Sequence, residues 1–229
     1  MHSAAGAWRS TVGLKLLMAV TGILLILFLV AHLLGNLLVF QGREAMNAYA
    51  ASLHAIPRLL WVARIGLLVV FVTHVWASIQ LSRRNRAARP AGYARRRWLR
   101  TSLASRAMLV SGIVVFLYLV FHLLHFTLGV LQPSTFAAQL PQDANGHLDV
   151  YGMVVQAFEQ PVFVVVYVAA VVLLAMHLSH AATSFFQTLG LSHPRYDRFF
   201  RGFGPVLATI LAIGYIAIPL AVVAGLVHA

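Results

Sequence analysis

The stretch LKLLMAVTGILLILFLVAHLLGNLLVF, residues 14–40, decides the fold because it is apolar almost throughout. It has 27 residues, and about 20 suffice for an α-helix to cross a bilayer. Four further stretches have the same character, at residues 59–81, 107–131, 161–186 and 203–227. We therefore predict an all-α fold, an integral membrane five-helix bundle, in which residues 1–229 form a single membrane domain surrounded by lipid.

The composition excludes several classes of protein. Of the 229 residues, 61% are hydrophobic and 10% are charged, and the mean hydropathy is +0.85. Soluble domains have roughly 45–50% apolar and about 25% charged residues, so this chain lacks the polar surface that a soluble enzyme or a disordered tail requires. Cysteine is absent, so any iron–sulfur cluster or thiolate zinc site would have to lie on another protein.

The net charge of +12 is distributed unevenly along the chain. Eight arginines lie between the second and third spans, followed by Arg106, and the N-terminus adds Arg9 and Lys15. The connections after the first and third spans contain Arg43 and Arg58 with four of the five acidic residues. Since Lys and Arg mark the cytoplasmic side, we predict a multi-pass protein of the cell inner (cytoplasmic) membrane, N-terminus cytoplasmic and C-terminus outside. This asymmetry explains the charge, and we expect no nucleic-acid partner.

Histidines inside the spans are the main functional signal. Six of the eleven lie there: His32, His74, His122, His125, His177 and His180. Ionisable residues at membrane depth are rare and usually face the bundle interior in a functional role. A neutral histidine that hydrogen-bonds a neighbouring helix is the alternative for each one taken alone.

Four of these histidines occupy matching positions. His32, His74, His122 and His177 precede the ends of the first four spans by 8, 7, 9 and 9 residues. Because neighbouring spans run in opposite directions, His32 and His122 share one level, and His74 and His177 share another. Two opposed imidazoles at one depth form an axial pair for a haem iron, whereas zinc prefers three or four ligands. We expect the second ring nitrogen of each ligand to donate to the carbonyl four residues earlier.

Glycines at regular offsets support the two levels. Gly22 and Gly112 lie ten residues before the histidines of the first and third spans, and Gly66 lies eight before that of the second. Ten residues of helix rise roughly 15 Å, which carries a glycine from one histidine level toward the other. A residue without a side chain lets a flat macrocycle approach the backbone. The alternative is that these small residues promote helix packing.

Several strings together carry a family resemblance. They are AHLLGN (31–36), NAYA (47–50), NRAARP (85–90), HLLH (122–125), HLSH (177–180) and FQTLG (186–190). With the histidine and glycine spacing, they resemble the single-chain, dihaem cytochrome b subunit of succinate:quinone oxidoreductases and quinol:fumarate reductases, known as complex II. The resemblance covers about residues 11–201.

The resemblance implies a function for the whole complex. His32 with His122 would bind the distal haem b, and His74 with His177 the proximal haem b. A flavoprotein subunit with FAD and an iron–sulfur subunit would dock on the cytoplasmic face. This chain would be the membrane anchor of a succinate dehydrogenase, passing electrons from the iron–sulfur subunit through both haems to menaquinone or another quinone. Dicarboxylate chemistry would lie on the partner subunits.

The sequence also bears on the direction of electron flow and on two alternative classes of membrane protein. Some fumarate-reducing members have a glutamate two residues before the fourth-span ligand, where this chain has Ala175. We therefore favour succinate oxidation, with quinol:fumarate reduction as the alternative. A histidine-lined transporter or channel predicts acidic residues within the spans and discontinuous helices. A cytochrome b of quinol:cytochrome c reductase places two ligands on one helix, about four turns apart.

Secondary contacts are assigned as candidates. Haem propionates require cationic partners, for which the cytoplasmic side offers Arg106, Lys15 and Arg9, and the outside offers Arg43, Arg58 and Arg64. We expect His125 and His180 to support the ligand histidines from behind, to lie near the propionates or to lie at the membrane interface, with packing as the alternative. A quinone site on the outside could use Asn36, Asn47, Tyr49, Glu44 or Glu159, and one on the cytoplasmic side Ser10, Lys15, Tyr93 or Arg106. The sequence does not choose between the two sides.

Overall fold

The computed structural model describes residues 10–88, 103–191 and 193–228. Over these residues the chain is helical and has no strand, and five helices are long and apolar enough to cross a membrane, which confirms the predicted all-α, five-span architecture. In chain order the helices are α1 (Thr11–Asn36), α2 (Arg43–His54), α3 (Pro57–Ala87), α4 (Leu103–Arg106), α5 (Met108–His122), α6 (Val150–Phe158), α7 (Pro161–Thr188) and α8 (Asp197–Val223). The five spans are α1, α3, α5, α7 and α8.

The observed helix ends differ from the predicted span ends by up to nine residues. Helix α3 runs on to Ala87, and α8 already begins at Asp197, because hydropathy marks the apolar middle of a helix while backbone hydrogen bonds continue into polar residues. The third span ends earlier than predicted. Helix α5 passes into a π-turn, Leu123–Thr127, and the chain then leaves the helix at Gly129, whose φ of +64° is left-handed.

The lateral surface of the bundle is apolar. Large side chains more than half exposed occur on every span: Leu27, Val62, Leu117, Val165 and Ile213. A soluble protein rarely exposes so continuous an apolar surface. The exposed face of the five spans is therefore suited to hydrocarbon and not to water.

The two short helices α2 and α6 meet at one end of the bundle, which we call the acidic end because Glu44, Asp143, Asp149 and Glu159 lie there. The sequence analysis did not predict either helix. Asn47, completely buried on α2, donates its Nδ2 to Asp149 Oδ1 over 3.1 Å and accepts from the backbone N–H of Tyr151 over 2.9 Å. Asp149 also caps α6 by accepting from the N–H of Gly152.

The loop before α6 is held by a carboxylate. The backbone N–H groups of Asn145 and His147 both donate to Asp143 Oδ1 over 2.9 Å. These bonds lower the pKa of Asp143 below its ordinary value, with that from His147 contributing most. The loop from α5 to α6 is thereby ordered beside α2 at the acidic end.

The spans pack in a defined order around the bundle. Helix α1 packs on α3, α5 packs on α7, and α1, α7 and α8 surround a core that includes Ile26, Leu33, Leu178 and Leu211. The second and third spans meet through stacked rings of Phe71 and Phe116, 6.1 Å apart. Among the described residues, α1 has little backbone contact with α5, and α3 has little with α7. Those are the helix pairs that carry the paired histidines.

Candidate haem sites

His32 and His122 form the first pair. His32 lies on α1 and His122 is the last residue of α5, and their ring centroids are 5.9 Å apart with the ring planes at 87°. A metal–imidazole bond is about 2 Å long, so two such bonds and two half rings span roughly 6 Å. The observed separation therefore matches two imidazoles facing one metal ion.

His74 and His177 form the second pair. They lie on α3 and α7. Each ring packs against a glycine of the preceding span: a Cβ built at Gly22 of α1 would lie 3.5 Å from His74 Cε1, and one built at Gly112 of α5 would lie 3.5 Å from His177 Cε1. The structure thus places Gly22 and Gly112 at the level of the second pair.

A hydroxyl next to each of these glycines binds a ring of the second pair. Thr21 Oγ1 lies 3.0 Å from His74 Nδ1 and donates to the carbonyl of Leu17 over 2.8 Å. Because the hydroxyl hydrogen is used on that carbonyl, Nδ1–H of His74 donates to Thr21, and the lone pair of the neutral ring lies on Nε2. Ser111 repeats this arrangement, with 3.2 Å to His177 Nδ1 and a donated bond to the carbonyl of Met108.

In the first pair, the hydroxyl that meets a histidine ring belongs to a tyrosine. The Tyr167 hydroxyl lies 3.3 Å from His122 Nδ1 and 3.1 Å from Nδ1 of buried His125, whose Nε2 lies 3.1 Å from Gln132 Oε1. Further rings surround the pair, with Phe28 stacked on His32 at 5.3 Å and Tyr118 at 6.0 Å from His122. His125 is therefore linked to His122 through the Tyr167 hydroxyl.

The predicted bond to the carbonyl four residues earlier is wrong for three of the four histidines. Nδ1 of His74, His122 and His177 meets a hydroxyl on a neighbouring helix instead. A helix carbonyl can accept such a bond, as that of Ala50 does from His54 over 2.8 Å. The rings of the three paired histidines instead lie against side-chain hydroxyls of neighbouring helices. Thr21, Ser111, Tyr167 and Gln132 were missed by sequence reasoning. The matching Thr21-Gly22 and Ser111-Gly112 dipeptides were the available signal.

Several of the predicted cofactor contacts lie at exposed positions. Gly66 is exposed, and a Cβ built there meets nothing within 4 Å. Lys15 and Arg106 are exposed at the opposite end of the bundle from Asp149. Arg9 and Tyr93 lie outside the described residues.

Some candidate residues of the acidic end are bonded or buried, and others are exposed. Arg43 pairs with Asp149 over 3.1 Å, and Asn47 is locked inside the same cluster. Asn36 donates to the carbonyl of His32 over 2.6 Å, and Glu159 ends α6. Exposed candidates remain there and on the spans nearby: Glu44, Tyr49, Arg58 and Arg64, the last lying over the Trp61 ring at 5.3 Å. His180 is half-buried on α7.

The donor sets fit a haem held by two histidines. Across the part of the chain that the structure describes, no group of three or more His, Cys, Asp or Glu side chains could hold a metal ion, so the sets are pairs. Among the same residues nothing hydrogen-bonds the Nε2 atoms of the four histidines. Neutral imidazoles with a held Nδ1 and an open Nε2 are what haem iron binds.

Comparison of the chain with protein-family models, with curated proteins and with solved structures finds no match.

Proposed function

We propose that this chain is the membrane-anchor cytochrome b subunit of a succinate:quinone oxidoreductase, carrying electrons from an iron–sulfur subunit through two b haems to menaquinone or another quinone. The observation that carries the proposal is the double pairing of imidazoles on alternate spans, with His32 facing His122 at 5.9 Å. Haem, when bound, supplies one-electron transfer. The chain's own residues would hold the iron through Nε2 of the four histidines and exclude water with apolar helices, and side-chain hydroxyls would orient the rings of His74, His122 and His177 through Nδ1.

The arginine-rich side of the bundle supports the choice of partners. With the positive charge in the cytoplasm, the iron–sulfur subunit would dock beside the second pair, and the flavoprotein subunit with FAD would bind to it. His74 and His177 would then serve the proximal haem, and His32 and His122 the distal one. Complementary charge of the docking subunit would speed its association and fix its orientation.

The transporter alternative has less support. All five acidic residues lie at the acidic end or, for Asp197, at the first residue of α8, so none lies in the middle of a span. The spans α1, α3 and α7 are continuous helices, whereas transporter sites are typically formed by broken ones. A histidine relay for ions would lack acidic partners here.

The first test is the haem content of the purified complex. A pyridine haemochrome assay with a reduced-minus-oxidised spectrum should give two b haems per chain. A well-folded complex that contains no haem would contradict the proposal. The direction of the reaction is tested by comparing two activities of the complex. We expect quinone reduction by succinate to be faster than fumarate reduction by quinol. The reverse order would favour a quinol:fumarate reductase, the alternative that Ala175 argues against.

Pairwise substitution tests the assignment of the ligands. His32→Ala and His122→Ala should each lose one and the same haem, identified by its α-band and potential. His74→Ala and His177→Ala should each lose the other. His54→Ala is the matched control, because this exposed histidine on α2 bonds only the carbonyl of Ala50 among the described residues. Losses that cross between the pairs would refute the pairing even with both haems present in the wild type.

A further inference from the structure

The histidines of the two pairs are held in different ways. Each ring of the second pair ends on one hydroxyl, Thr21 for His74 and Ser111 for His177. His122 of the first pair instead begins a chain of four groups that continues through Tyr167 and His125 to Gln132. His125 is 3% exposed and Gln132 is 8% exposed, so the far half of this chain is shielded from solvent.

The direction of the hydrogen bonds in this chain can be worked out from its far end. In the amide orientation of the structure, Gln132 presents its Oε1 to His125 and its buried Nε2 has no partner among the described residues. In this orientation Oε1 can only accept, so Nε2–H of His125 donates to it. The neutral ring of His125 then has its lone pair on Nδ1 and accepts from the Tyr167 hydroxyl. With its hydrogen used there, the Tyr167 oxygen accepts from Nδ1–H of His122. Each step follows from the one before it.

We infer that Tyr167, His125 and Gln132 are positioning residues for His122, fixing the tautomer whose Nε2 lone pair faces His32. A reversed chain would place a hydrogen on His122 Nε2 and close that lone pair to a metal. The inference rests on the proposed function, since it assigns these residues to the haem of the first pair.

The chain should also affect the electronic character of the ligand. Donation from Nδ1–H to an oxygen raises the basicity of a metal-bound imidazole, which stabilises ferric over ferrous iron. Tyr167→Phe removes that oxygen while keeping the ring that packs against Phe126 and Phe158. At a given potential, the equilibrium ratio of ferric to ferrous iron in the haem of the first pair should then fall about tenfold. For one electron, this corresponds to an upward shift of about 59 mV in the midpoint potential.

The matched control is Tyr118→Phe. Tyr118 lies 6.0 Å from His122 and 5.4 Å from Tyr167, and its hydroxyl bonds no described residue. The substitution is chemically the same and lies in the same aromatic cluster, but outside the hydrogen-bonded chain. It should leave both midpoint potentials unchanged.

The experiment is redox titration of the complex in detergent, with the two haems assigned through His32→Ala and His74→Ala, and with the electron paramagnetic resonance of each ferric haem as a second measurement. Gln132→Leu, which releases His125, should shift the same haem in the same direction by less than Tyr167→Phe. Gln132→Glu keeps an acceptor toward His125 and should not raise the potential. These shifts, confined to the first pair, are the expected result.

Two results would overturn the inference. If Tyr167→Phe and Tyr118→Phe leave the first haem equally unchanged or shift it equally, the chain does not position His122, while two haems in the wild type keep the proposed function intact. If the wild type binds no haem, both the inference and the proposed function fail. The haem count of the wild type therefore distinguishes the two failures.

Discussion

At the scale of single residues, the informative feature is what each imidazole's Nδ1 contacts. Three of the four paired histidines bond a hydroxyl from another helix, and the hydroxyls of Thr21 and Ser111 each also bond a carbonyl of their own helix. Such a hydroxyl has its hydrogen committed, so it can only accept from the imidazole. The protein thus selects the ring tautomer without any charged group.

We predict that Thr21→Val and Ser111→Ala weaken the same haem. Each change removes the acceptor of one Nδ1–H in the second pair, and loss of such a partner typically costs about 10–100-fold in metal affinity. Transfer of haem to an added scavenging protein, followed by absorbance, measures the effect. Thr209→Val is the control, because Thr209 is exposed on α8 and bonds no described residue. Equal haem retention in all three variants would remove Thr21 and Ser111 from the site.

At the scale of helices, close packing of α7 on α8 depends on one glycine. A Cβ at Gly204 would collide with the carbonyl oxygen of Ser179 and with Thr183 Oγ1. Small residues at such crossings let helix backbones approach each other in a membrane. This contact joins the helix that carries His177 to the helix that completes the core.

Gly204→Ala should therefore destabilise the bundle. Overpacking of this kind costs roughly 1–3 kcal/mol, because backbone atoms must move. Thermal unfolding of the complex in detergent should show a lower transition temperature. Gly202→Ala, one half-turn away with nothing within 4 Å of its added Cβ, should leave the transition unchanged or raise it. A Gly204→Ala variant as stable as the wild type would refute the close crossing.

The short helices α2 and α6 depend on Asn47 in a comparable way. Asn47→Ala would leave the Tyr151 N–H without its acceptor and Asp149 with one donor fewer, inside a buried cluster. An unsatisfied buried group costs about 1–3 kcal/mol. Hydrogen exchange of residues 43–54 and 150–158 should accelerate. Asn145→Ala, at an exposed position, is the control, and equal exchange in both variants would contradict a structural role for Asn47.

At the scale of the whole molecule, five membrane crossings would put residues 10 and 228 on opposite sides of a membrane. The arginine distribution predicts which side is which. A reporter that is active only outside the cytoplasm, fused after residue 228, should be active, and the same reporter fused after residue 88 should be silent. The reverse pattern would invert the orientation and move the proposed docking face to the other side.

Much of this architecture could be predicted from the sequence because a span is a local property of about 20 residues. Helix α2 was not predicted since its residues are mostly polar or small and carry no long apolar run. Helix α6 was not predicted because its start depends on the Asp149 cap and on Asn47, over a hundred residues earlier in the chain. The grouping of histidines by level required only counting, since helical rise is constant.

The sequence by itself therefore determined five apolar spans, their charge asymmetry and four histidines at two levels, because hydropathy, charge and helical rise act locally. Only the tertiary structure decided what holds each ring: Thr21 beside His74, Ser111 beside His177, and Tyr167 with His125 behind His122. It also showed that Gly66 is exposed and that Asn47 is hydrogen-bonded to Asp149 inside a buried cluster. These outcomes depend on which faces of the helices meet, and a membrane helix that is apolar all round does not reveal that face in its own sequence.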